Sequence, residues 1–285
     1  MKPAKFEYLS AASAPDVGAE LAAGDGATKL IAGAQSLGPM LNLRLVRPGR
    51  LVDVSMLPEL RQSQGTDEAV EIGAAVTHAE IEDGDVAGLT PADWDAAPLT
   101  WLRAAAAHIA HRAVRNRGTL GGSLAHADPA ADWVIVMTGL GAAARVHGPD
   151  GSRNIALSDF VTGPFETALA PDEWIAAVRV PRPVPGTRWG YWKFVRQVGE
   201  FAKASATVLL PPTGPVRVAV GALGRQPLVL DAQPAADFAA GRATARDVLA
   251  AARPDRSATE RALHEAALNH ALAQARSDAS EPDPR

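Results

Sequence analysis

Residues 116–133 read Asn116-Arg117-Gly118-Thr119-Leu120-Gly121-Gly122-Ser123-Leu124-Ala125-His126-Ala127-Asp128-Pro129-Ala130-Ala131-Asp132-Trp133. Three glycines within five residues leave the backbone free to take positive φ and to lie close against a ligand. Asp128 followed by Pro129 has the pattern of an N-cap with proline at the first helical position, so a helix is expected over 129–140. A Gly-rich loop running into a helix start suits a phosphate-bearing ligand. The same composition also fits a plain surface loop.

A second stretch has a related character. Ala32-Gly33-Ala34-Gln35-Ser36-Leu37-Gly38-Pro39-Met40-Leu41 follows an apolar run, Thr28–Ala32, and leads into a short helix. Its amides could cradle a pyrophosphate without a lysine. It is neither G-x-G-x-x-G nor G-x-x-x-x-G-K-[ST], and the alternative is a tight strand-to-helix connection without a ligand.

Composition narrows the chemistry. The 285 residues allow two domains, or one domain of two lobes. With 28 basic and 32 acidic residues the net charge is −4, which gives no general attraction to nucleic acid or anionic membranes. No cysteine is present, so the chain cannot hold an iron–sulfur cluster through thiolates or use a cysteine nucleophile, and disulfides are excluded. No H-E-x-x-H or similar metal spacing joins the histidines. The N-terminal segment lacks an apolar signal core and no apolar run reaches membrane length, so a cytoplasmic location is expected.

In chain order, short strands are expected at Phe6–Tyr8, Thr28–Ala32 and Arg50–Ser55, with a helix after Ser13 ending at Gly24. A strand follows at Glu68–Ala74. Thr77-His78-Ala79-Glu80 has capping-box spacing, with His78 expected as a solvated first-turn residue. Residues 83–97 read as loop and 98–111 as a helix, on which His108 and His111 are neighbours without a third metal ligand. Two strands joined by Gly148-Pro149-Asp150-Gly151 form an expected hairpin. After the proline-rich boundary at 181–186, Trp189–Val195, Lys203–Leu210 and Val216–Leu223 predict a three-stranded antiparallel meander. The C-terminal part is helical, with a capping box at Ser257-Ala258-Thr259-Glu260 opening a helix to about Arg276 and a frayed tail at 277–285.

The two loops together resemble the FAD-binding medium subunit of the molybdenum hydroxylases, the carbon monoxide dehydrogenase and xanthine dehydrogenase family. The family's first loop reads A-G-G-[QH]-S-L-x-P-x-[ML], against A-G-A-Q-S-L-G-P-M-L here. Its second, R-N-R-G-T-[IL]-G-G-S-[LIV]-A-H-A-D-P-A-A-[DE], is matched almost letter for letter by Arg115–Asp132. Gly163-Pro164-Phe165-Glu166-Thr167-Ala168-Leu169 and Tyr191-Trp192-Lys193 with Gly199-Glu200-Phe201-Ala202 extend the likeness over nearly the whole chain.

The resemblance implies an α+β fold. It consists of a two-lobed FAD-binding PCMH-type domain at 1–178 (lobes 1–58 and 59–178), then a small C-terminal domain at 183–276 with a three-stranded antiparallel sheet and helices. It implies an FAD-carrying electron-transfer subunit, with the molybdenum cofactor on a large partner subunit and [2Fe–2S] clusters on a small one. The complex implied is a dimer of heterotrimers that passes electrons to NAD, quinone or oxygen, with no nucleic acid and no membrane insertion. No catalytic acid, base or metal ligand is expected in this chain. The amides of Ala32, Gly33, Ala34, Gln35 and Ser36, and those of Thr119, Leu120, Gly121, Gly122 and Ser123, are implied to surround the FAD pyrophosphate, with Leu37 also at the cofactor. Asp132 is placed by a ribose, Ile109 and Ile175 along the flavin or adenine, Lys193 near the isoalloxazine and Phe201 over a flavin face. Two departures stand out: Ala34 replaces a family glycine, and Arg112 replaces a common proline, from which a longer preceding helix is expected. The alternatives are a self-contained flavin oxidoreductase of the same fold superfamily and an assembly subunit lacking FAD.

Overall fold

The computed structural model describes residues 2–24, 26–230, 232–252 and 257–277. The first unit alternates strand and helix: β1 (Glu7–Ser10), α1 (Ala14–Ala23), β2 (Thr28–Ile31), α2 (Leu37–Asn42) and β3 (Arg50–Asp53). Its three strands are parallel in the order β1-β3-β2, which places their carboxyl ends together where the loop to α2 begins. Ligands of open parallel sheets gather at such ends. Ser13 caps α1 through its hydroxyl, and Gly24 closes it, as the sequence predicts.

The second unit runs through α3 (Pro58–Arg61), β4 (Gln64–Gly65), β5 (Ala69–Gly73), α4 (His78–Asp83), α5 (Pro91–Trp94), α6 (Leu99–Ala107), α7 (Arg112–Arg115), α8 (Leu120–His126) and α9 (Asp132–Gly139). It continues with β6 (Ala143–Gly148), β7 (Gly151–Ala156), α10 (Leu157–Phe160), β8 (Val161–Gly163), β9 (Glu166–Thr167) and β10 (Trp174–Pro181). A five-stranded sheet orders these as β4-β5-β10-β6-β7, with β6 and β7 forming the expected hairpin. Part of the stretch expected as loop at 83–97 is α5, a single turn started by Thr90 and Pro91. The Thr77 capping box on α4 is present in both directions.

The last unit holds β11 (Arg188–Phe194), β12 (Ala204–Leu210), β13 (Arg217–Gly221), β14 (Leu228–Leu230), α11 (Ala232–Ala239), α12 (Ala245–Ala252) and α13 (Ala258–Arg276). The sheet has four strands, not the expected three, because Leu228–Leu230 pairs antiparallel with β13. That strand is only three residues long, too short for its alternation to show in the sequence. The Ser257 capping box opens α13 as expected, and of the tail at 277–285 all but Ser277 lie outside the described residues.

Helix α9 ties the second unit to the last. All eight of its residues are buried, and its polar ones, Asp132 and Thr138, are paired within the protein. Gly139 lies against Thr207 of β12, where a Cβ would come within 1.9 Å of the threonine hydroxyl, and Ile135 packs on Gly221 of β13. The opposite face of the last sheet buries Ala204, Ala206 and Val208 with Ala267, Leu268 and Ala271 of α13. Among the described residues no helix is long and apolar enough to cross a membrane.

Candidate functional site

A cavity of about 720 Å³ lies where the loop after β2, helices α2 and α8, and the segments around Ile109, Phe165, Ile175 and Phe201 meet. Its size suits a sizeable ligand. Fourteen of the fifteen predicted site residues line it: Ala32, Gly33, Ala34, Gln35, Ser36, Leu37, Ile109, Thr119, Gly121, Gly122, Ser123, Asp132, Ile175 and Phe201. Lys193 does not.

The first loop supplies donors. Among the described residues, no backbone carbonyl or side chain accepts from the five consecutive N–H groups of Gly33–Leu37, while Gly38 N–H bonds the Ala34 carbonyl at 2.9 Å and starts α2. Backbone N–H groups left without protein partners are an acceptor's site, since unpaired burial of such groups is costly. Gly33 also holds the two loops together. A Cβ there would lie 1.9 Å from the Arg117 carbonyl oxygen.

The second stretch differs from its expected form. It is not a loop before a helix at 129 but a helix itself, α8, capped by the Thr119 hydroxyl accepting from Gly122 N–H at 3.1 Å. None of Gly118, Gly121 and Gly122 has positive φ. They are small because neighbours leave no room: a Cβ on Gly121 would meet that of Ala74 at 2.5 Å, and one on Gly118 the His78 ring at 2.7 Å. The Leu120 and Gly121 N–H groups donate to the Val76 and Ala74 carbonyls at 2.9 Å, and Ser123 N–H to Thr119. Four of the five amides expected to face a pyrophosphate are thus already bonded; Thr119 N–H is the exception. The Thr119 hydroxyl accepts from Gly122, which leaves its own proton to donate. Asp128 does not cap α9; its carboxylate accepts from Ala130 N–H in a local turn, and α9 starts at Asp132.

Asp132 and Lys193 form a buried pair, Nζ to Oδ1 at 2.7 Å. Tyr191 also donates its hydroxyl to Oδ1, at 2.5 Å, and Lys193 donates to the His108 carbonyl at 2.7 Å. Burial and the adjacent Asp132 carboxylate hold the Tyr191 phenol well above its ordinary range. The expectation of Lys193 as a cation facing the cavity is therefore corrected: its charge goes to Asp132 and links β11 to α9 and to the turn after α6. Asp132 itself is on the cavity wall.

Arg112 does not lengthen α6, which stops at Ala107. It is the first residue of α7 after His111, a position that proline also fills well. Its guanidinium pairs with Glu82 and Asp83. Arg115 binds Glu82 twice, at 2.7 and 2.9 Å, and donates to the Ile109 carbonyl at 2.9 Å, steadying the turn that carries Ile109 to the cavity.

Ala34 has φ +61°. An alanine in this region costs about 1 kcal/mol relative to glycine. Ala34→Gly is expected to raise Tm by roughly 2–4 °C in thermal denaturation; an unchanged or lowered Tm would refute strain at this turn.

His78, His126 and Phe165 also line the cavity and were not expected there. The His126 and Phe165 rings lie 5.1 Å apart. His78 is 5% exposed rather than solvated, because Trp133 of α9 packs on it and donates to its Nδ1 at 2.9 Å. No sequence signal links two residues 55 positions apart. Burial, with the Arg115 charge second, lowers the His78 pKa from 6.5 to about 4. Between those values the unfolded chain binds a proton that the folded one refuses, so stability is full above pH 6.5 and falls as pH drops towards 4. The loss at His78 is on the order of 3 kcal/mol. Tm against pH should fall in this window, less so in His78→Gln; equal slopes in both proteins would rule His78 out as the cause.

The carboxyl ends of a parallel sheet, uncommitted amides and a partly apolar cavity define a protein that binds a ligand with both anionic and apolar parts. The family described as "FAD binding domain in molybdopterin dehydrogenase" matches residues 4–183. The chain is 38% identical over 238 residues to the nicotine 6-hydroxylase medium subunit of Paenarthrobacter nicotinovorans, covering 82% of this chain and 80% of that one. Its structure resembles a chain of carbon monoxide dehydrogenase from Hydrogenophaga pseudoflava with a TM-score of 0.84 at 29% identity, covering 96% of this chain and 98% of that one. It resembles a chain of quinoline 2-oxidoreductase from Pseudomonas putida 86 with a TM-score of 0.82 at 31% identity, covering 96% and 98%. The chain belongs to the molybdenum hydroxylase family as an FAD-binding medium subunit. FAD fits the donor set, an acceptor-only pyrophosphate meeting donor-only amides in a cavity that apolar residues also line.

Proposed function

We propose that this chain is the FAD-carrying electron-transfer subunit of a molybdenum hydroxylase. It takes electrons from [2Fe–2S] clusters on a small partner subunit and delivers them to an external acceptor, NAD, quinone or oxygen. The molybdenum cofactor belongs to a large partner subunit, and the assembly is a cytoplasmic dimer of heterotrimers. Residues 1–178 form the FAD-binding unit and 183–276 the C-terminal one. The observation that carries the reading is the row of free amides at Gly33–Leu37, lining one cavity with Thr119, in a chain of this family. These amides and the Thr119 N–H and hydroxyl hold the pyrophosphate, with the Ser123 hydroxyl beside them. Asp132, held by Lys193 and Tyr191, accepts from a ribose hydroxyl. Ile109 and Ile175 exclude water from a ring face, and Phe201, half exposed at the rim, covers another.

FAD, when bound, supplies the acceptance and release of electrons, and the protein supplies binding and orientation. The chain's lack of cysteine supports this division of labour. Expression with its genomic neighbours, followed by a visible spectrum and metal analysis, tests the reading. A complex of three kinds of chain with flavin, iron and molybdenum supports it. An active lone flavoprotein, or a colourless chain after gentle purification, would overturn it.

A further inference from the structure

The ring of His78 has one nitrogen accounted for and one not. An indole N–H can only donate, so the bond from Trp133 Nε1 requires a bare Nδ1 and leaves the ring proton on Nε2. Nε2 lies against the Gly118 backbone, close enough that a Cβ there would come within 2.7 Å. Among the described residues nothing accepts from it. The ring is nine-tenths buried, yet it is part of the cavity wall beside Thr119, Gly121 and Gly122. The backbone around it is held in place: His78 N–H donates to the Gly118 carbonyl at 2.9 Å, and Thr77 bridges Thr119.

We propose that His78 is an FAD-binding residue, an uncharged Nε2–H donor to the pyrophosphate side of the cofactor, kept in that tautomer by Trp133. The inference rests on the FAD reading above. It adds to the second wall of the cavity, where most amides are committed within the protein, a donor whose direction is set by α9. With its pKa lowered to about 4, the ring donates without charge across the physiological range. Its contribution to binding is therefore independent of pH from about 6 upwards.

The test follows the His78 imidazole by nitrogen–proton NMR in the full chain stripped of FAD, titrated with FAD, ADP and lumiflavin. The Nε2-protonated tautomer is expected at neutral pH, with its resonance moved by FAD and by ADP and left unmoved by lumiflavin. His78→Phe should weaken FAD and ADP about 10- to 100-fold, the loss of a hydrogen bond to a charged group, while lumiflavin binding holds. His78→Gln, whose amide nitrogen reaches the Nε2 position, should recover most of the affinity. Should His78→Phe fail to fold, the titration of the unmodified chain decides alone. A wild-type chain that binds FAD with the His78 ring silent, or in the Nδ1-protonated form, overturns this inference and leaves the FAD reading intact. A wild-type chain that binds no FAD overturns both.

Discussion

Gly33→Ala should give a protein that loses FAD on purification and melts well below the parent. The added Cβ would sit 1.9 Å from the Arg117 carbonyl oxygen and 2.8 Å from the Gly118 Cα, both of them backbone. A flexible side chain could swing away from such a contact, but backbone cannot. The loop after β2 and the turn before α8 must then separate, and the cavity that Gly33–Leu37 line together with Thr119 loses its shape. Overpacking of this severity costs about 3 kcal/mol, or roughly 6–12 °C in Tm. Flavin content per chain and a melting curve measure both effects. A yellow, fully loaded Gly33→Ala protein would show that the contact between the two loops is dispensable for the site. Ala34→Gly, one residue on, has the opposite expected sign, because that position holds a positive φ that glycine adopts without strain.

Asp132→Ala is the second large effect. It leaves the Lys193 ammonium, 8% exposed, with only the His108 carbonyl, and leaves the Tyr191 hydroxyl without its acceptor. Removing one member of a buried pair strands the other, at a cost of about 3–5 kcal/mol. Tm should fall on the order of 10 °C. The double variant Asp132→Leu with Lys193→Met removes both charges and should recover much of that loss, since well-packed apolar pairs often equal buried ion pairs. FAD affinity separates the two roles of Asp132: the double variant is expected to be stable yet to bind FAD more weakly, because the carboxylate on the cavity wall is gone. Equal stability of Asp132→Ala and wild type would mean that the pair does not hold α9 to β11.

Local signals in the chain identified most elements because caps and turns act over three or four residues. Ser13, Thr77 and Ser257 mark helix starts that the structure has, and Gly148–Gly151 marks the hairpin turn. The same locality explains the errors. Asp128-Pro129 looks like a cap, but Thr119 had already started α8, and Asp128 bonds within its own turn. Gly118 and Gly121 look conformational, but their reason lies in His78 and Ala74, more than thirty-five positions earlier.

The sequence by itself determined the family, through two loops and the motifs that follow them, and with it many of the residues that gather on the cavity, though not His78, His126 or Phe165. Tertiary structure decided what those residues have left to offer a ligand. Whether an amide is free depends on the carbonyls opposite it: those of Val76 and Ala74 take the Leu120 and Gly121 N–H groups, while among the described residues nothing takes those of Gly33–Leu37. Likewise Lys193 serves Asp132 rather than the cavity, and His78 is a buried donor rather than a solvated cap residue, because their partners arrive from 61 and 55 positions away. Residue type sets the capacity to donate or accept, but only the packed chain shows which donors and acceptors are already paired.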